Sequence, residues 1–336
     1  MEEFVPSRPC RSAPGILGPM VIHAKRRNQV VTGLLLLAGV PLLVVTVLRT
    51  IGYDGGGWYL TALLSLTPYV AVYGALLGAL ALLLHRWWFG GVALGMVVLL
   101  VVFVLPRVVP DDQPEAHGRT VRVMSANLYL GQADPGTVVR LVRQNRVDVL
   151  NLLELTPAVV SGLARAGLFD ELRYRVLHPA SGASGSGIVS RFPLTEQDYA
   201  GGSAAKQPGA DADLGGGAEL EVVAAHPRSP DVGFDGWEQE LRDLSRAAGE
   251  HGLRVLAGDF NATLDHAALR TVLSRGYLDA AETRGAGLNP TWPATFVPFV
   301  PLDHVLVDRR VAVRDYRVLD VPGTDHRAVY AEIQLP

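Results

Sequence analysis

The sequence has little cysteine and little lysine. Cys10 is the single cysteine among 336 residues, so no intramolecular disulfide can form and a disulfide-rich secreted scaffold is excluded. Lysine occurs only as Lys25 and Lys206. Any large domain in this chain must therefore be held together by its hydrophobic core.

Charge is nearly absent from one long stretch of the chain. Residues 30–106 carry only Arg49, Asp54 and Arg86, whereas residues 118–336 carry 22 of the 30 Lys+Arg and 27 of the 33 Asp+Glu residues. With 22 basic against 27 acidic residues, the net charge of this C-terminal part is −5, which disfavours nonspecific binding of polyanions. At roughly 220 residues, it is long enough to form a core as one domain.

Three apolar runs lie in the poorly charged stretch, at Val30–Leu48, Tyr59–Leu84 and Phe89–Leu105. Each has close to the ~20 residues that cross a hydrocarbon layer, so we predict three transmembrane helices within residues 30–106. A cleaved signal peptide is disfavoured because three runs follow one another and no small-residue cleavage site follows the first. A transporter or channel is disfavoured because no ionisable residue lies within the spans. Aromatic residues typical of membrane interfaces flank the second and third runs, at Trp58, Tyr59, Trp87 and Trp88.

The Lys/Arg bias of the short flanks predicts the orientation. Basic residues precede the first run at Lys25–Arg27 and lie between the second and third runs at Arg86. Basic flanks remain in the cytoplasm, so residues 1–29 are predicted to be a cytoplasmic tail, and three crossings place the C-terminal domain outside. Residues 107–118 (RVVPDDQPEAHG) are predicted to be a polar linker. The chain is thus expected to be a multi-pass protein of the cell membrane with an extracytoplasmic catalytic domain.

Strand-like and helix-like segments are interleaved across residues 119–336. Asp134-Pro135 and Thr156-Pro157 each place a helix-capping residue before a proline, and each predicts a helix start. Residues 201–217 (GGSAAKQPGADADLGGG) are predicted to be a flexible loop without periodicity. Without a strict βαβ rhythm, the pattern predicts an α/β sandwich. Further helices are predicted at Trp237–Glu250 and Asp265–Ser274, and strands at Val121–Ala126, Val147–Leu153, Gly187–Ser190, Leu220–Ala225, Arg254–Ala257, His304–Val307 and Ala328–Ile333.

Polar side chains recur next to the ends of these predicted strands. If those strand ends share one edge of the sandwich, the polar side chains converge into a site. Seven segments carry them in this order: SANLYLG, DVLNLLEL, SGIVSRFPL, AAHPRSP, LAGDFNAT, PLDHVLV and GTDHRAVYAEI.

The order of these seven motifs resembles the endonuclease/exonuclease/phosphatase superfamily. That superfamily includes deoxyribonuclease I, the exonuclease III type of repair endonuclease, inositol polyphosphate 5-phosphatases and neutral sphingomyelinases. The resemblance covers about residues 118–336. It implies a four-layered α/β sandwich that hydrolyses phosphate esters with the help of a divalent metal.

The resemblance also implies a metal site. By motif, Glu154 matches the main ligand of Mg²⁺ or Mn²⁺, and Asn127 and Asp325 match residues near the metal. Carboxylate and amide oxygens are hard ligands that suit these ions better than zinc. Other readings remain for two of them, because Glu154 can be a helix-start carboxylate and Asn127 can satisfy a strand-to-loop turn.

Five further residues match the family's reaction machinery. Asp259 matches the residue that orients and deprotonates the attacking water, and Asn261 matches its partner at the phosphate. Asp303 matches the carboxylate that fixes the catalytic imidazole of His326, and His226 matches a phosphate-contacting group. A phosphate ester needs a cation on its oxygens, a base for water and donors for the developing charge, which agrees with these roles.

The other histidines lie outside this set of predicted roles. For His304, which follows Asp303 in a predicted strand, packing is at least as strong an interpretation as catalysis. His178, His251 and His266 are interpreted as ordinary surface or packing residues.

Two functions follow as hypotheses. The first is a membrane-anchored phosphoesterase whose substrate is a nucleic acid, a phospholipid or a small phosphate ester; no obligate protein partner is inferred. The alternative is a noncatalytic membrane-tethered binding module that retains the fold. A binding module has no use for both a water base and a metal ligand, so the motif set favours the enzyme. The substrate stays open, because no insertion rich in Lys/Arg or aromatic residues is present to follow a nucleic-acid backbone.

Overall fold

Two six-stranded β-sheets form the C-terminal part of the chain. The computed structural model describes residues 18–201, 203, 205–245 and 252–336. One sheet has the strand order β11-β12-β1-β2-β4-β3 and the other β5-β6-β7-β8-β10-β9. The strands are β1 Thr120–Asn127, β2 Val149–Leu153, β3 Tyr174–His178, β4 Ser186–Ser190, β5 Leu194–Gln197, β6 Gly209–Gly215, β7 Ala218–Ala225, β8 Leu253–Asp259, β9 Tyr277–Asp279, β10 Asp303–Asp308, β11 Ala312–Leu319 and β12 Ala328–Gln334.

The main hydrophobic core lies between the two sheets. Val123 and Val149 of the first sheet and Val222, Val255 and Val305 of the second are fully buried in one cluster. A second cluster joins the other face of the first sheet to three helices, and a third cluster joins the other face of the second sheet to two helices. The predicted α/β sandwich is therefore confirmed, with the layers helix, sheet, sheet and helix.

The helices of this part begin as their capping residues predict. The carboxylate of Asp134 accepts a hydrogen bond from the backbone N–H of Thr137 at 2.8 Å, and the hydroxyl of Thr156 accepts one from Val159 at 3.4 Å. These caps satisfy N–H groups that have no partner within the helix. The helices are α5 Pro135–Gln144, α6 Pro157–Arg165, α7 Leu168–Glu171, α8 Pro230–Leu244, α9 Ala267–Ser274 and α10 Ala280–Thr283.

The prediction of a flexible loop at residues 201–217 is wrong, because β6 occupies its second half. Ala210, Ala212 and Leu214 are buried between the sheets, while Asp211 and Asp213 alternate with them. β6 also pairs with β5 on one side and β7 on the other. Apolar and acidic residues alternate along β6 in the sequence, but the surrounding glycines masked this strand pattern.

Other boundaries differ from the prediction. β3, β5, β9 and β11 were not predicted. Helix α8 begins seven residues before the predicted Trp237, and residues 246–250 of that predicted helix lie outside the described residues, as does His251.

Four apolar helices precede the sandwich: α1 Gly18–Ile51, α2 Trp58–Ser65, α3 Thr67–Leu83 and α4 Trp87–Val104. Within the described residues, Asn28–Ile51 and Trp87–Val108 are each long and apolar enough to cross a membrane. The second predicted span is not one continuous helix, since α2 and α3 meet at a bend of 72°. Pro68 stands in the first turn of α3, where its missing N–H costs nothing. Of the predicted tail, residues 1–17 lie outside the described residues.

The apolar helices are joined to the sandwich by buried ion pairs. The guanidinium of Arg107 bonds both carboxylate oxygens of Asp265, at 2.7 and 2.6 Å, and Arg49 of α1 adds a third bond at 3.2 Å. Arg107 is only 2% exposed, so the first residue of the predicted linker is a buried anchor. From the other direction, the carboxylate of Asp54 accepts hydrogen bonds from the first two N–H groups of α9, at 2.6 and 2.8 Å.

These contacts place one end of each long apolar helix at the sandwich. Arg49 marks the end of α1, and the hydroxyl of Tyr69 near the start of α3 donates to the backbone carbonyl of Phe299 at 2.8 Å. At the opposite end, Arg86 donates to the backbone carbonyl of Asn28 at 3.1 Å. α1, α3 and α4 thus run between the sandwich and a far end that holds Asn28 and Arg86.

Candidate active site

The predicted site residues meet at one edge of the two sheets. β1 runs parallel to β2, and β7 runs parallel to β8, so Asn127, Glu154, His226 and Asp259 all lie at carboxyl ends of strands. β10 is antiparallel to β8 and its first residue, Asp303, is paired with Asp259. The sheet topology alone therefore brings residues from 127 to 303 together.

Asn127 connects the two sheets. Its side-chain amide donates to Glu154 Oε1 at 3.1 Å and to Asp259 Oδ2 at 3.2 Å, while its amide oxygen accepts from the backbone of Tyr129 at 3.0 Å. One amide group is therefore shared by two carboxylates from different sheets. This contact fixes their separation before any ligand binds.

Glu154 is held in the site by backbone contacts. Its Oε2 accepts a hydrogen bond from the N–H of Leu130 at 2.7 Å, and its own φ is +53°, a left-handed conformation that costs a residue with a side chain energy. Burial raises the pKa of Glu154, although the bonds from Leu130 and Asn127 oppose the rise. A buried carboxylate with a raised pKa is one that a cation would stabilise in its charged form.

Asp303, His326 and Asp259 form a buried chain. The Nδ1 of His326 lies 2.9 Å from Asp303 Oδ2, and its Nε2 lies 3.6 Å from Asp259 Oδ2. Burial alone would lower the pKa of His326, but the carboxylates of Asp303 and Asp259 outweigh it and raise that pKa to about 10. The imidazole therefore carries a positive charge at neutral pH. Burial also raises the pKa of Asp259, which makes its carboxylate a stronger base.

His226 faces the same carboxylates in its neutral form. Its Nε2 lies 4.0 Å from Glu154 Oε1 and 4.0 Å from Asp259 Oδ2. Burial lowers the pKa of His226, and its Nδ1 is a buried atom with no hydrogen-bond partner among the described residues. The ring is thus placed as a donor or acceptor toward a molecule in the cavity.

Asn261 is positioned by its neighbours. Its backbone N–H donates to Asp259 Oδ1 at 2.8 Å, and its side-chain amide donates to the carbonyl of Pro227 at 3.1 Å. With φ at +47°, it adopts the left-handed conformation that asparagine tolerates well. The bond to Asp259 leaves Oδ2 of that carboxylate directed toward Asn127 and His326.

Asp325 supplies a carboxylate oxygen that is not satisfied. Its Oδ2 accepts from the indole N–H of Trp292 at 3.3 Å, whereas its Oδ1 is buried without a hydrogen-bond partner among the described residues. Thr324 beside it donates to the carbonyl of Asn127 at 2.9 Å and accepts from the N–H of His326 at 3.1 Å. Sequence reasoning missed Thr324 and Trp292; Thr324 lies inside the GTDH motif, while Trp292 gave no signal.

The donor set fits a hard divalent cation. An unpaired buried oxygen on Asp325 and the partly buried carboxylate of Glu154, whose pKa is raised, are both stabilised by positive charge. Among the described residues, a different group also brings its ligand atoms within 4.8 Å of one another: Asp259, Asp303 and His326. In that group the imidazole is bonded to Asp303 and positively charged, so it could bind a metal only after losing its proton. The carboxylates of Glu154 and Asp325 need no such change.

The other histidines have structural contacts. His304 is fully buried, with Nδ1 2.7 Å from Asp279 Oδ2 and Nε2 2.9 Å from the carbonyl of Ala262, which supports packing rather than catalysis. His266 is also buried, and its Nε2 lies 2.9 Å from the carbonyl of Thr61 in α2. His178 forms an exposed pair with Glu196.

The site opens into a cavity of about 680 Å³. Glu154, His226, Asp259 and His326 line its polar end. A second part of its wall comes from α2, through Trp58, Thr61, Ala62 and Ser65, and from Leu66, which follows this helix. No motif in the sequence indicated that an apolar helix would border the site.

A two-sheet α/β sandwich with carboxylates and an Asp-paired histidine at one edge defines a class of phosphoesterase folds. Residues 124–326 match the model of the endonuclease/exonuclease/phosphatase family, and the chain belongs to that family. Its members are typically hydrolases that act on phosphate esters, and they generally use divalent metals.

Solved structures agree on the fold. An endonuclease/exonuclease/phosphatase from Beutenbergia cavernae DSM 12333 is 18% identical, with a TM-score of 0.50, and the match covers 65% of this chain and 72% of that chain. TDP2 from D. rerio, solved with a single-strand DNA product, is 18% identical over 64% of this chain and 99% of that chain, with a TM-score of 0.51. A family member from Bacteroides vulgatus is 16% identical over 65% of this chain and all (100%) of that chain, with a TM-score of 0.51. No curated protein sequence matches the chain.

Proposed function

We propose that this protein is a membrane-anchored, metal-dependent phosphoesterase that hydrolyses a phosphodiester or a phosphomonoester. The observation that supports this most is the meeting of Asp259, His326 and Glu154 in one buried cavity, with Asp303 behind the imidazole. A noncatalytic binding module would gain nothing from burying these charged groups together, because burial of charge is costly.

In the proposed reaction a water oxygen forms a bond to phosphorus, and the bond to the leaving oxygen breaks; the leaving oxygen departs with the electron pair of that bond and takes a proton from solvent where its basicity requires one. Asp259 accepts the proton of the attacking water, and its contacts with Asn127 and Asn261 hold the carboxylate in place. The positively charged imidazole of His326 stabilises the negative charge that develops on the phosphoryl oxygens. Asp303 keeps that imidazole oriented and charged. Asn261 and His226 contact the phosphate.

Glu154 is proposed as the main ligand of Mg²⁺ or Mn²⁺, with Asn127 and Asp325 beside it. Such an ion would supply positive charge to the phosphate oxygens. The residues of the chain already provide the hard oxygen donors that these ions prefer.

Hydrolysis that depends on metal is the first expected result. The full chain in detergent should release 4-nitrophenolate from a chromogenic phosphodiester or from 4-nitrophenyl phosphate when Mg²⁺ or Mn²⁺ is present. EDTA should abolish this release, and a return of the metal should restore it. Release that persists in EDTA would contradict the metal role, and the absence of release with both esters and both metals would contradict the enzyme.

We further propose that the catalytic part lies outside the cytoplasm. Arg86 contacts Asn28 of α1 at the end of the apolar helices opposite the sandwich, and Lys25–Arg27 directly precede Asn28 in the sequence. The basic flanks therefore lie on the side away from the site, as cytoplasmic flanks do.

The orientation has a direct test. A reporter that is active only outside the cytoplasm, fused after Pro336, should be active, while a cytoplasm-specific reporter at the same position should be silent. The opposite pair of results would reverse the proposed orientation. The same two reporters placed after Arg86 provide the internal control and should behave in the opposite way.

A further inference from the structure

The cavity above the catalytic carboxylates has a wall that belongs to the apolar segment. Ala62 and Ser65 of α2 line it together with Asp259 and His326. A molecule whose phosphate reaches His326 must therefore lie against this helix.

α2 is held in this position by specific contacts. The carbonyl of Thr61 lies 2.9 Å from the Nε2 of buried His266, whose Nδ1 accepts the N–H of Thr263 at 2.8 Å. The hydroxyl of Thr61 also donates to the carbonyl of Asp54 at 2.9 Å, and the Asp54 carboxylate is bonded to the start of α9. These hydrogen bonds hold α2 against the sandwich, so the wall it forms is a fixed part of the fold.

Apolar side chains also surround the opening. Val232 lines the cavity and is 78% exposed, while Phe296 and Val297 are 65% and 77% exposed. Phe296 lies beside the cavity residue Phe299, with ring centroids 6.2 Å apart. The carbonyl of Phe299 is bonded to Tyr69 in the first turn of α3. The apolar rim therefore adjoins an apolar helix at the end where the bilayer surface would lie.

Positive charge is scarce around the same opening. Among the described residues that line the cavity, Arg228 is the only arginine and lysine is absent. The guanidinium of Arg228 is bonded to the carboxylate of Glu240 at 3.0 Å. A nucleic-acid strand requires cationic side chains along its backbone, whereas this rim consists of apolar side chains. Trp58 and Trp292 also line the cavity and could stack on bases, so a single-stranded oligonucleotide is the competing substrate in the test below.

We propose that the substrate is a phosphodiester that carries a hydrocarbon chain, with the chain against α2 and the phosphate at Asp259 and His326. This inference rests on the proposed function and adds a substrate class to it. Ala62 is then a specificity-determining position, because its methyl group lines the cavity. A lipid embedded in the same membrane could reach the site without leaving the bilayer surface.

Two chromogenic diesters with the same leaving group test the proposal. 4-Nitrophenyl hexadecyl phosphate and 4-nitrophenyl ethyl phosphate differ only in chain length, and each is given to the full chain in mixed micelles with Mn²⁺. Each buried methylene contributes roughly a factor of four to binding, so we expect at least about a tenfold higher kcat/KM for the hexadecyl ester. Micelles also concentrate the long-chain ester. The decisive quantity is therefore how a variant changes the ratio of kcat/KM for the hexadecyl ester to kcat/KM for the ethyl ester.

Ala62→Glu places a charge where the chain should lie, whereas Ala62→Leu keeps the position apolar. Ala62→Glu should lower the ratio of hexadecyl to ethyl turnover by about tenfold, because the added charge disfavours the long chain more than the ethyl group. Ala62→Leu should preserve most of the ratio. Ala164→Glu, at an exposed alanine of α6 away from the cavity, is the matched charge control and should leave the ratio unchanged.

Each outcome of these assays supports or contradicts a stated part of the proposal. An equal effect of Ala62→Glu and Ala164→Glu on the ratio would overturn the role of α2. Cleavage of the oligonucleotide or the ethyl ester in preference to the hexadecyl ester would overturn the substrate class and leave the proposed phosphoesterase standing. Failure to cleave either diester while 4-nitrophenyl phosphate is still hydrolysed would overturn this inference alone, and failure with the monoester as well would overturn the proposed function too.

Discussion

Asp259→Asn should reduce kcat by at least about 10², within the roughly 10²–10⁴ that general-base transfer contributes. The amide keeps the hydrogen bonds from Asn261 and the approximate shape of the side chain, but it cannot accept the proton of the attacking water. Metal affinity should stay within a few-fold, because the proposed principal ligand is Glu154. Steady-state kinetics on a chromogenic phosphate ester, at several Mn²⁺ concentrations, separates the two quantities.

Asp320→Asn is the matched control for this substitution. Asp320 is an exposed aspartate paired with Arg327, and kcat of this variant should remain within about twofold of the parent, as most surface substitutions are nearly neutral. His326→Ala should resemble Asp259→Asn, with a loss of at least about 10² in kcat. If high metal restores the activity of Asp259→Asn, Asp259 is a metal ligand and its assignment as the base is wrong.

Glu154→Gln should act on the metal rather than on the water. The amide oxygen can still accept the N–H of Leu130, but the negative charge that holds a divalent ion is gone. The metal concentration for half-maximal activity should rise by roughly one to two powers of ten, comparable to the loss when a neighbouring contact of a metal ligand is removed. Excess Mn²⁺ should restore part of kcat.

Glu171→Gln, at a partly exposed glutamate paired with Arg143 away from the site, is the control and should leave the metal dependence unchanged. The metal requirement can be measured by activity and independently by calorimetric titration of the ion. If the Glu154→Gln titration curve coincides with that of the parent, the ion is held elsewhere, and the group of Asp259, Asp303 and His326 becomes the better site.

The elements with strong local signals were predictable from the sequence. Asp134 and Thr156 cap helices where the cap-then-proline pattern indicates, and the apolar runs of β1 and β2 form adjacent parallel strands. The position of Asp303 opposite Asp259 needed the antiparallel pairing of β8 with β10. Residue order in seven motifs could suggest that these side chains meet, but only the sheet topology gives the distances.

Elements whose stability comes from tertiary contacts were not predictable. β6 has two glycines at its ends and two aspartates along it, and it is a strand because it lies between β5 and β7 and buries Ala210, Ala212 and Leu214. The bend between α2 and α3 follows from Pro68 together with the contacts of α2 to the sandwich. A short stretch of sequence does not show which strands or helices will pack against it. Hydropathy alone therefore predicted one continuous span where the structure has α2 and α3.

The cap that Asp54 provides to α9 has a consequence for the order of folding. Helix caps are ordinarily local, but this one joins residues 213 and 214 positions apart, and the residue before the helix, His266, makes no side-chain cap. The ribosome synthesises Asp54 and Arg49 long before Asp265 and α9. In the proposed membrane arrangement, the last third of the sandwich would complete its secondary structure on helices that are already inserted, so membrane insertion would act as a template for the fold that follows it.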